Sequence, residues 1–223
     1  MILDTIITMR RLTLIYLFVF STFVQAGYPE GFQAFMEGDY EVAFSEFMLE
    51  AEQENPFAQA DLGDMYYHGV GVEQDNIQAL KWFKKAADQS HSRAQYNLGV
   101  MYENGKGVEQ DYDQAIKWWC MAAEQGHYGA EYNLGMMFYK GTGVPKDREE
   151  AARRLLKVAK QGVPGAQYQL GIMYMNGDGI GKSHSQAKFW LDRAYRNGDN
   201  DISNAAKKAQ EEIDFTNPKI QLF

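Results

Sequence analysis

The sequence predicts an all-α protein, a right-handed α/α superhelical solenoid of helix-turn-helix units that repeat every 36 residues. A Leu-Gly pair occurs four times at this constant spacing, an aromatic residue lies three positions after each Gly, and a Gly-x-Gly turn follows. A period of this size indicates stacked supersecondary units, none of which buries its apolar face alone. The four pairs are Leu62-Gly63, Leu98-Gly99, Leu134-Gly135 and Leu170-Gly171.

The N-terminal residues are expected to form a secretory signal. Arg10 and Arg11 precede an apolar run that extends from Leu12 to Val24, and Ala26 ends the segment. A charged start, a short apolar core and a small residue at the cleavage site are typical of signal peptides. The run is also shorter than the roughly 20 residues that span a membrane. We therefore expect residues 1–26 to be removed, leaving a periplasmic or secreted protein; an uncleaved anchor is the alternative, and Met9 is an alternative start.

Residues 27–54 are predicted to be a degenerate first repeat that caps the N-terminal end. Ala43, Phe47 and Ala51 lie 36 positions before equivalent residues of the next repeat, but the turn is reduced to Gly38-Asp39. Polar terminal units keep a solenoid from polymerising. At the other end, residues 200–223 are predicted to form a capping helix, at about 201–214, and a tail.

Residues 55–199 are predicted to form four full repeats, at 55–91, 92–127, 128–163 and 164–199. In the second of them, Ala94, Leu98 and Met101 recur at spacings of three and four, which places them on one face of a helix. Gly105 is expected to end that helix, because Gly enters the left-handed region without steric cost.

The second helix of each repeat is predicted to start at a capping box, in which a cap oxygen and a return side chain satisfy the first amides of the helix. Gly126, Gly162 and Gly198 are expected to end these helices, with Ser90 at the same place in the first full repeat. Arg154 stands where the other repeats have Trp. The predicted cap residues are Asp75, Asp111, Asp147 and Ser183, each followed three positions later by Gln or Glu.

The repeated pattern closely resembles the Sel-1-like repeat, a relative of the tetratricopeptide repeat. Its strongest instances are the segment Ala94-Gln95-Tyr96-Asn97-Leu98-Gly99 and the segment at 130–135. The resemblance implies a non-catalytic adaptor that binds a protein or peptide partner. Some secreted relatives carry a Cys pair in each repeat and are credited with weak penicillin-directed activity, so a cell-wall-directed hydrolase or binder is the alternative. Cys120 is the single cysteine here, and Tyr128 stands where that branch would have its partner.

By analogy with tetratricopeptide repeats, three positions on each first helix are predicted to contact the partner on a concave face. They lie three before the conserved Gly, one after it and four after it, where Tyr offers apolar area with a hydrogen-bonding tip. Asn97 and Asn133 are candidates for holding the partner's backbone. The alternative is that these Tyr and Asn residues only pack neighbouring helices. The predicted residues are Ala60, Asp64, Tyr67, Tyr96, Val100, Glu103, Tyr132, Met136, Tyr139, Tyr168, Ile172 and Met175.

Other partners and chemistries find little support in the sequence. The net charge of −8 argues against nucleic acid or an anionic membrane as a partner. The segment from Gly179 to Ser183 resembles the tail of a phosphate loop, but no strand precedes it. His91 and His127 fall near helix ends, where they are expected to bind carbonyls. We therefore expect no catalytic residues, no metal, no cofactor and a monomeric protein.

Overall fold

The computed structural model describes residues 27–216, so the predicted signal segment and the last seven residues lie outside the described part. The described residues form eleven α-helices. Among them, no helix is both long and apolar enough to cross a membrane. The helices are α1 Gly27–Glu37, α2 Tyr40–Glu52, α3 Pro56–His68, α4 Asn76–Asp88, α5 Ser92–Asn104, α6 Tyr112–Glu124, α7 Tyr128–Lys140, α8 Arg148–Lys160, α9 Pro164–Asn176, α10 His184–Asn197 and α11 Asn200–Thr216.

The described chain divides into two compact units, residues 27–110 with helices α1 to α5 and residues 111–216 with helices α6 to α11. Within each unit, every helix packs against the next one along the chain. The predicted all-α architecture of helix-turn-helix repeats is confirmed. In the opening segment, α1 and α2 are joined at Gly38 and Asp39.

The core of each unit is built from the small and apolar residues that recur with the repeat. In the first unit, Phe47, Leu62 and Met65 are fully buried in one cluster with Trp82. In the second unit, Leu155, Leu170 and Met173 form a corresponding cluster, and Leu191 and Ile213 belong to another. Buried apolar area of this kind is the main source of stability, since the only cysteine, Cys120, has no second cysteine to bridge.

The predicted cap residues are N-caps in the structure, but only half of the capping box forms. The side chain of Asp147, for example, accepts the N–H of Glu150 at 2.9 Å. In a full capping box, the side chain of Glu150 would accept the N–H of Asp147 in return. Here that N–H donates instead to the backbone carbonyl of Phe138 at 2.9 Å. Equivalent bonds join Asp75 to Tyr66 and Ser183 to Tyr174. Three of the four caps therefore tie the loop back to the aromatic residue of the preceding helix.

The Gly-x-Gly turn has two separate tasks. Gly105 is the left-handed C-cap predicted for it, with φ 65°. Gly107 also has a positive φ, 69°, and its backbone lies against the start of α4, because a Cβ there would stand 2.3 Å from the carbonyl oxygen of Asn76. Side chains larger than hydrogen are therefore excluded from the second glycine by packing as well as by conformation.

The structure refines two expectations about helix ends. Gly198 is the C-cap of α10, as expected, but its backbone is extended, with φ −79° and ψ 163°, and α11 begins two residues later. His91 and His127, expected near carbonyls at helix ends, are the N-caps of the following helices. Their Nδ1 atoms accept the N–H groups of Ala94 at 3.4 Å and Ala130 at 3.2 Å. Burial lowers the pKa of both histidines, which favours the neutral form that this acceptor role requires.

Candidate partner-binding surface

The twelve predicted contact positions lie on the first helices of the repeats, α3, α5, α7 and α9, and eleven of them are partly exposed. Ala60 is the exception, because it is fully buried and presents no surface to a partner. Partial exposure means that each side chain packs on its own unit and still presents a surface to solvent. The two units are described in turn.

In the first unit, Asp64 on α3 is the centre of a polar group. Its carboxylate accepts a hydrogen bond from the Asn97 amide at 2.9 Å and forms an ion pair with the Arg93 guanidinium at 3.1 Å. Arg93 also pairs with Asp61, one turn earlier on α3. Asn97, predicted as a ligand for a partner's backbone, therefore donates its amide within the protein and links α5 to α3.

Burial raises the pKa of Asp64 from 3.8 to about 6, against the opposing effect of the Arg93 cation. The neighbouring Asp61 carboxylate acts in the same direction as burial, and His68 and the Asn97 amide act against it. Asp64 is therefore a carboxyl group that titrates close to neutral pH in the folded protein.

A small open pocket adjoins this group. Three of its lining residues, Asp64, Tyr67 and Val100, are among the predicted contacts, and the rings of Tyr67 and His68 meet edge to face at 4.9 Å. Tyr96 and Glu103 are partly exposed on α5. The pocket is lined by Asp64, Tyr67, His68, Phe83, Asn97 and Val100.

In the second unit, the predicted residues of α7 are more involved in packing. Tyr132, Met136 and Tyr139 lie against the cluster around Leu155 and Leu170. Burial raises the pKa of Tyr132. The Tyr139 hydroxyl donates to Asp178 at 3.2 Å, and the Arg148 guanidinium lies 4.7 Å from the centre of the Tyr139 ring.

The predicted residues of α9 pack toward the end of the chain. Tyr168, Ile172 and Met175 lie against the cluster that α10 and α11 form around Leu191 and Ile213. The final helix, expected only as a cap, therefore shares a core with residues that were predicted to face a partner. These three residues therefore pack within the protein and also remain partly exposed.

Sequence reasoning missed the exposed apolar face of α1, where Phe32 and Met36 are 50% and 68% exposed. The register follows from two glycines: a Cβ at Gly63 would lie 2.5 Å from the Phe83 ring, and a Cβ at Gly31 would lie 2.9 Å from the Phe47 ring. Gly31 is thus the counterpart of Gly63, and Phe32 is the counterpart of Asp64. Aligning Gly31 instead of the shortened turn would have revealed this from the sequence.

The third full repeat carries a charged pair where the others have Gln and Trp. Glu131 is only 7% exposed, and Arg154 pairs with it at 3.1 Å while also binding Glu150 at 2.7 Å. In the other full repeats, Gln59, Gln95 and Gln167 donate to carbonyls of the preceding helix. The charge that Arg154 introduces in place of Trp is therefore neutralised by Glu131 and Glu150 of the same repeat.

Three features bear on catalysis or ligand binding: the Cys120 thiol, metal-binding side chains and the phosphate-loop-like segment. Burial raises the pKa of the partly buried Cys120 thiol, so the nucleophilic thiolate is disfavoured at neutral pH. Within residues 27–216, no group of three or more His, Cys, Asp or Glu side chains is placed to hold a metal ion. Ser183, part of the phosphate-loop-like segment, accepts the N–H of Gln186 at 3.3 Å as a helix cap.

Consecutive helix pairs with a small-residue core and partly exposed first helices define an all-α repeat protein of the solenoid class. The Sel1 repeat family model matches residues 56–91, 92–127, 129–163 and 164–199. The chain therefore belongs to the Sel1 repeat family, as the sequence resemblance indicated.

Solved structures support the same assignment. A Sel1 repeat protein from Oxalobacter formigenes is 37% identical, with a TM-score of 0.77 over 82% of this chain and 74% of that chain. A protective antigen present in uropathogenic Escherichia coli strains is 31% identical, with a TM-score of 0.75 over 82% of this chain. The match spans only 40% of that antigen.

A sel1 repeat protein from Klebsiella pneumoniae shares the fold at 21% identity, with a TM-score of 0.55 over 85% of this chain and 92% of that chain. No curated protein shows a significant sequence match. Sel1 repeat proteins are generally protein-protein interaction scaffolds, and this chain has the fold of that family.

Proposed function

We propose that this protein is a non-catalytic scaffold that binds a protein or peptide partner through the exposed face of its first helices. The observation that carries the proposal is the polar and aromatic group around Asp64. There, three residues predicted to contact a partner line one open pocket. A surface with aromatic side chains beside an oriented carboxylate suits recognition of a peptide, because it offers apolar contact and hydrogen bonding together.

We further propose that the protein acts outside the cytoplasm. The support is the sequence of residues 10–26, with two arginines, an apolar run and a small residue at the end. The intact mass and N-terminal sequence of protein recovered from a bacterial envelope fraction test this. A chain beginning at Gly27 supports export with cleavage, and a chain that keeps residues 1–26 contradicts it.

The partner proposal is tested with variants that place a charge on the predicted face. Val100→Asp with Met136→Asp changes one partly exposed residue in each unit. Ile77→Asp is the matched control, because Ile77 is 69% exposed on a second helix, away from the predicted positions. Each immobilised protein is incubated with envelope extract, and captured proteins are quantified by mass spectrometry.

We expect a partner retained by wild type and by Ile77→Asp, with at least tenfold less recovered on the double variant. The captured protein is then purified and its affinity measured by calorimetry, with circular dichroism confirming that all three proteins are folded. Equal recovery on all three proteins would exclude the predicted face as the binding surface.

A further inference from the structure

The surface of α1 combines exposed apolar side chains with a row of acids. Phe32 and Met36 are one helical turn apart and therefore lie on the same side of the helix. Glu30, Gln33 and Glu37 follow the same spacing on the neighbouring side, and all three are exposed. Gly31 and Ala34 point into the unit and are buried. An apolar strip thus lies between the core and a polar, acidic edge.

The strip can be placed in the register of the next repeat. Phe32 is the counterpart of Asp64, and Met36 is the counterpart of His68, by the correspondence of Gly31 with Gly63. Both apolar residues therefore occupy positions whose equivalents on α3, Asp64 and His68, line the open pocket. The proposed binding face then extends to the opening repeat.

The charge in this part of the chain has one sign. Residues 27–80 contain twelve Asp or Glu and no Lys or Arg, whereas residues 81–216 contain 17 acids and 19 Lys or Arg. A surface with this imbalance attracts cationic partners, and like charge repels acidic ones. Six of the eleven large hydrophobic residues that are exposed in the described chain also lie between residues 32 and 57.

We propose that the face of the first unit formed by α1 and α3 binds a basic amphipathic segment of a protein partner. Apolar side chains of the segment cover Phe32 and Met36, and its Lys or Arg residues pair with the exposed Glu30 and Glu37. This inference rests on the proposed scaffold function and specifies the chemistry of its partner. An amphipathic helix laid on an apolar strip is a recurring mode of peptide recognition.

The probe is a synthetic 18-residue amphipathic helix of Leu and Lys with a fluorescent label. The matched peptide has Glu at every Lys position. Binding is followed by fluorescence anisotropy with protein produced from the full 223-residue sequence, at low salt and at 0.25 M salt. Variants are Phe32→Ser with Met36→Ser, Glu30→Gln with Glu37→Gln, and the control Ile77→Ser on α4.

We expect the Lys peptide to bind wild type and Ile77→Ser equally, and both double variants to weaken it at least tenfold. Salt should weaken binding to wild type, because surface charges are screened within about 10 Å at 0.1 M. The Glu peptide should not bind. Equal binding of the two peptides, or equal losses in Ile77→Ser and the α1 variants, would overturn the proposal.

Two other occupants give distinct results, and either would overturn the proposal. If a second copy covers the face, light scattering shows a dimer that Phe32→Ser with Met36→Ser converts to a monomer, and the Lys peptide does not bind. If the chain's own N-terminal segment covers it, the Lys peptide binds only after residues 1–26 are removed. The capture experiment with the Val100 and Met136 variants does not depend on α1. If the Lys peptide fails to bind, only the inference about α1 fails, and the capture experiment still tests the scaffold function.

Discussion

Ser90 and Gly126 occupy the same position in consecutive repeats, and both have left-handed backbones, with φ 65° and 83°. Glycine adopts this conformation freely, whereas an L-residue is strained by about 1–2 kcal/mol. Part of the gain from glycine is offset by its greater freedom in the unfolded chain. The two positions therefore allow a reciprocal test of backbone strain.

Ser90→Gly should stabilise the protein, and Gly126→Ser should destabilise it, each by about 0.5 kcal/mol. No neighbouring atom lies within 4 Å of a Cβ at Gly126, so its substitution reports conformation and not crowding. Urea unfolding measures the change in unfolding free energy of both variants, provided that its dependence on urea concentration has the same slope as in wild type. A change of the same sign in the two variants would contradict the strain argument.

Asp64 gives a prediction about pH. Its pKa is about 6 in the folded protein because burial disfavours the carboxylate, and it returns to about 3.8 on unfolding. Since the folded pKa is the higher one, the stability that Asp64 contributes is complete below pH 3.8 and is lost as the pH rises through 6. Wild type should therefore lose stability relative to Asp64→Asn between pH 4 and 6.

The measurement is the difference in unfolding free energy between wild type and Asp64→Asn, taken at several pH values, with the carboxyl titration followed by NMR. Arg93→Gln is the control, because removing the cation that lowers the pKa should move the titration to higher pH. If wild type instead gained stability relative to Asp64→Asn as the pH rises from 4 to 6, the raised pKa of Asp64 would be refuted.

At the scale of helices, the third repeat shows how a departure from the pattern is accommodated. Arg154 and Glu131 belong to α8 and α7 and form a largely buried ion pair. Breaking such a pair leaves an uncompensated charge, whereas replacing both partners together is often neutral. Lys157 lies 3.5 Å from Glu131 and compensates in part.

Arg154→Trp alone should destabilise the protein by about 2 kcal/mol, and Glu131→Gln with Arg154→Trp should lie within about 1 kcal/mol of wild type. The double variant restores the Gln and Trp of the other repeats. A double-mutant cycle in urea measures the coupling. Additive effects of the two single changes would show that the residues do not interact.

Repetition made the helices predictable, because each cap, glycine and buried alanine was supported by its equivalents in other repeats. The pattern was less informative for features that occur in one repeat only. Arg154 was recognised as a departure, but its partner Glu131 lies 23 residues away and looks like an ordinary polar residue. Gly198 was assigned by equivalence and does cap α10, but its extended backbone, with φ −79°, was not evident from the pattern. Local pattern does not contain such tertiary constraints.

At the scale of the whole molecule, the predicted contact surface divides by unit. Around Asp64 the predicted positions line a pocket. Those of α9 pack against a cluster that includes α11, because the path of the last helix brings its apolar face beside them. The sequence could specify which positions leave the core of a repeat, but not which of them a terminal helix packs against.

The uneven distribution of charge leads to a prediction for the whole chain. Residues 27–80 carry twelve acids and no Lys or Arg, so like charges within the opening helices repel one another in the folded state. Salt screens this repulsion, whereas residues 81–216, with nearly balanced charge, gain less. Local opening in α1 to α3 should therefore become rarer as salt is raised.

Hydrogen exchange resolved by mass spectrometry, at 10 mM and 200 mM sodium chloride, measures this opening segment by segment. We expect protection in α1 to α3 to rise severalfold with salt, and protection in α8 to α10 to change little. Replacing three acids of the opening repeat, the exposed Glu37 and Glu41 and the partly exposed Glu46, with Gln should raise protection at low salt and reduce the salt effect. An equal increase in all helices would mean that salt acts through hydration of the whole protein and not through this local repulsion.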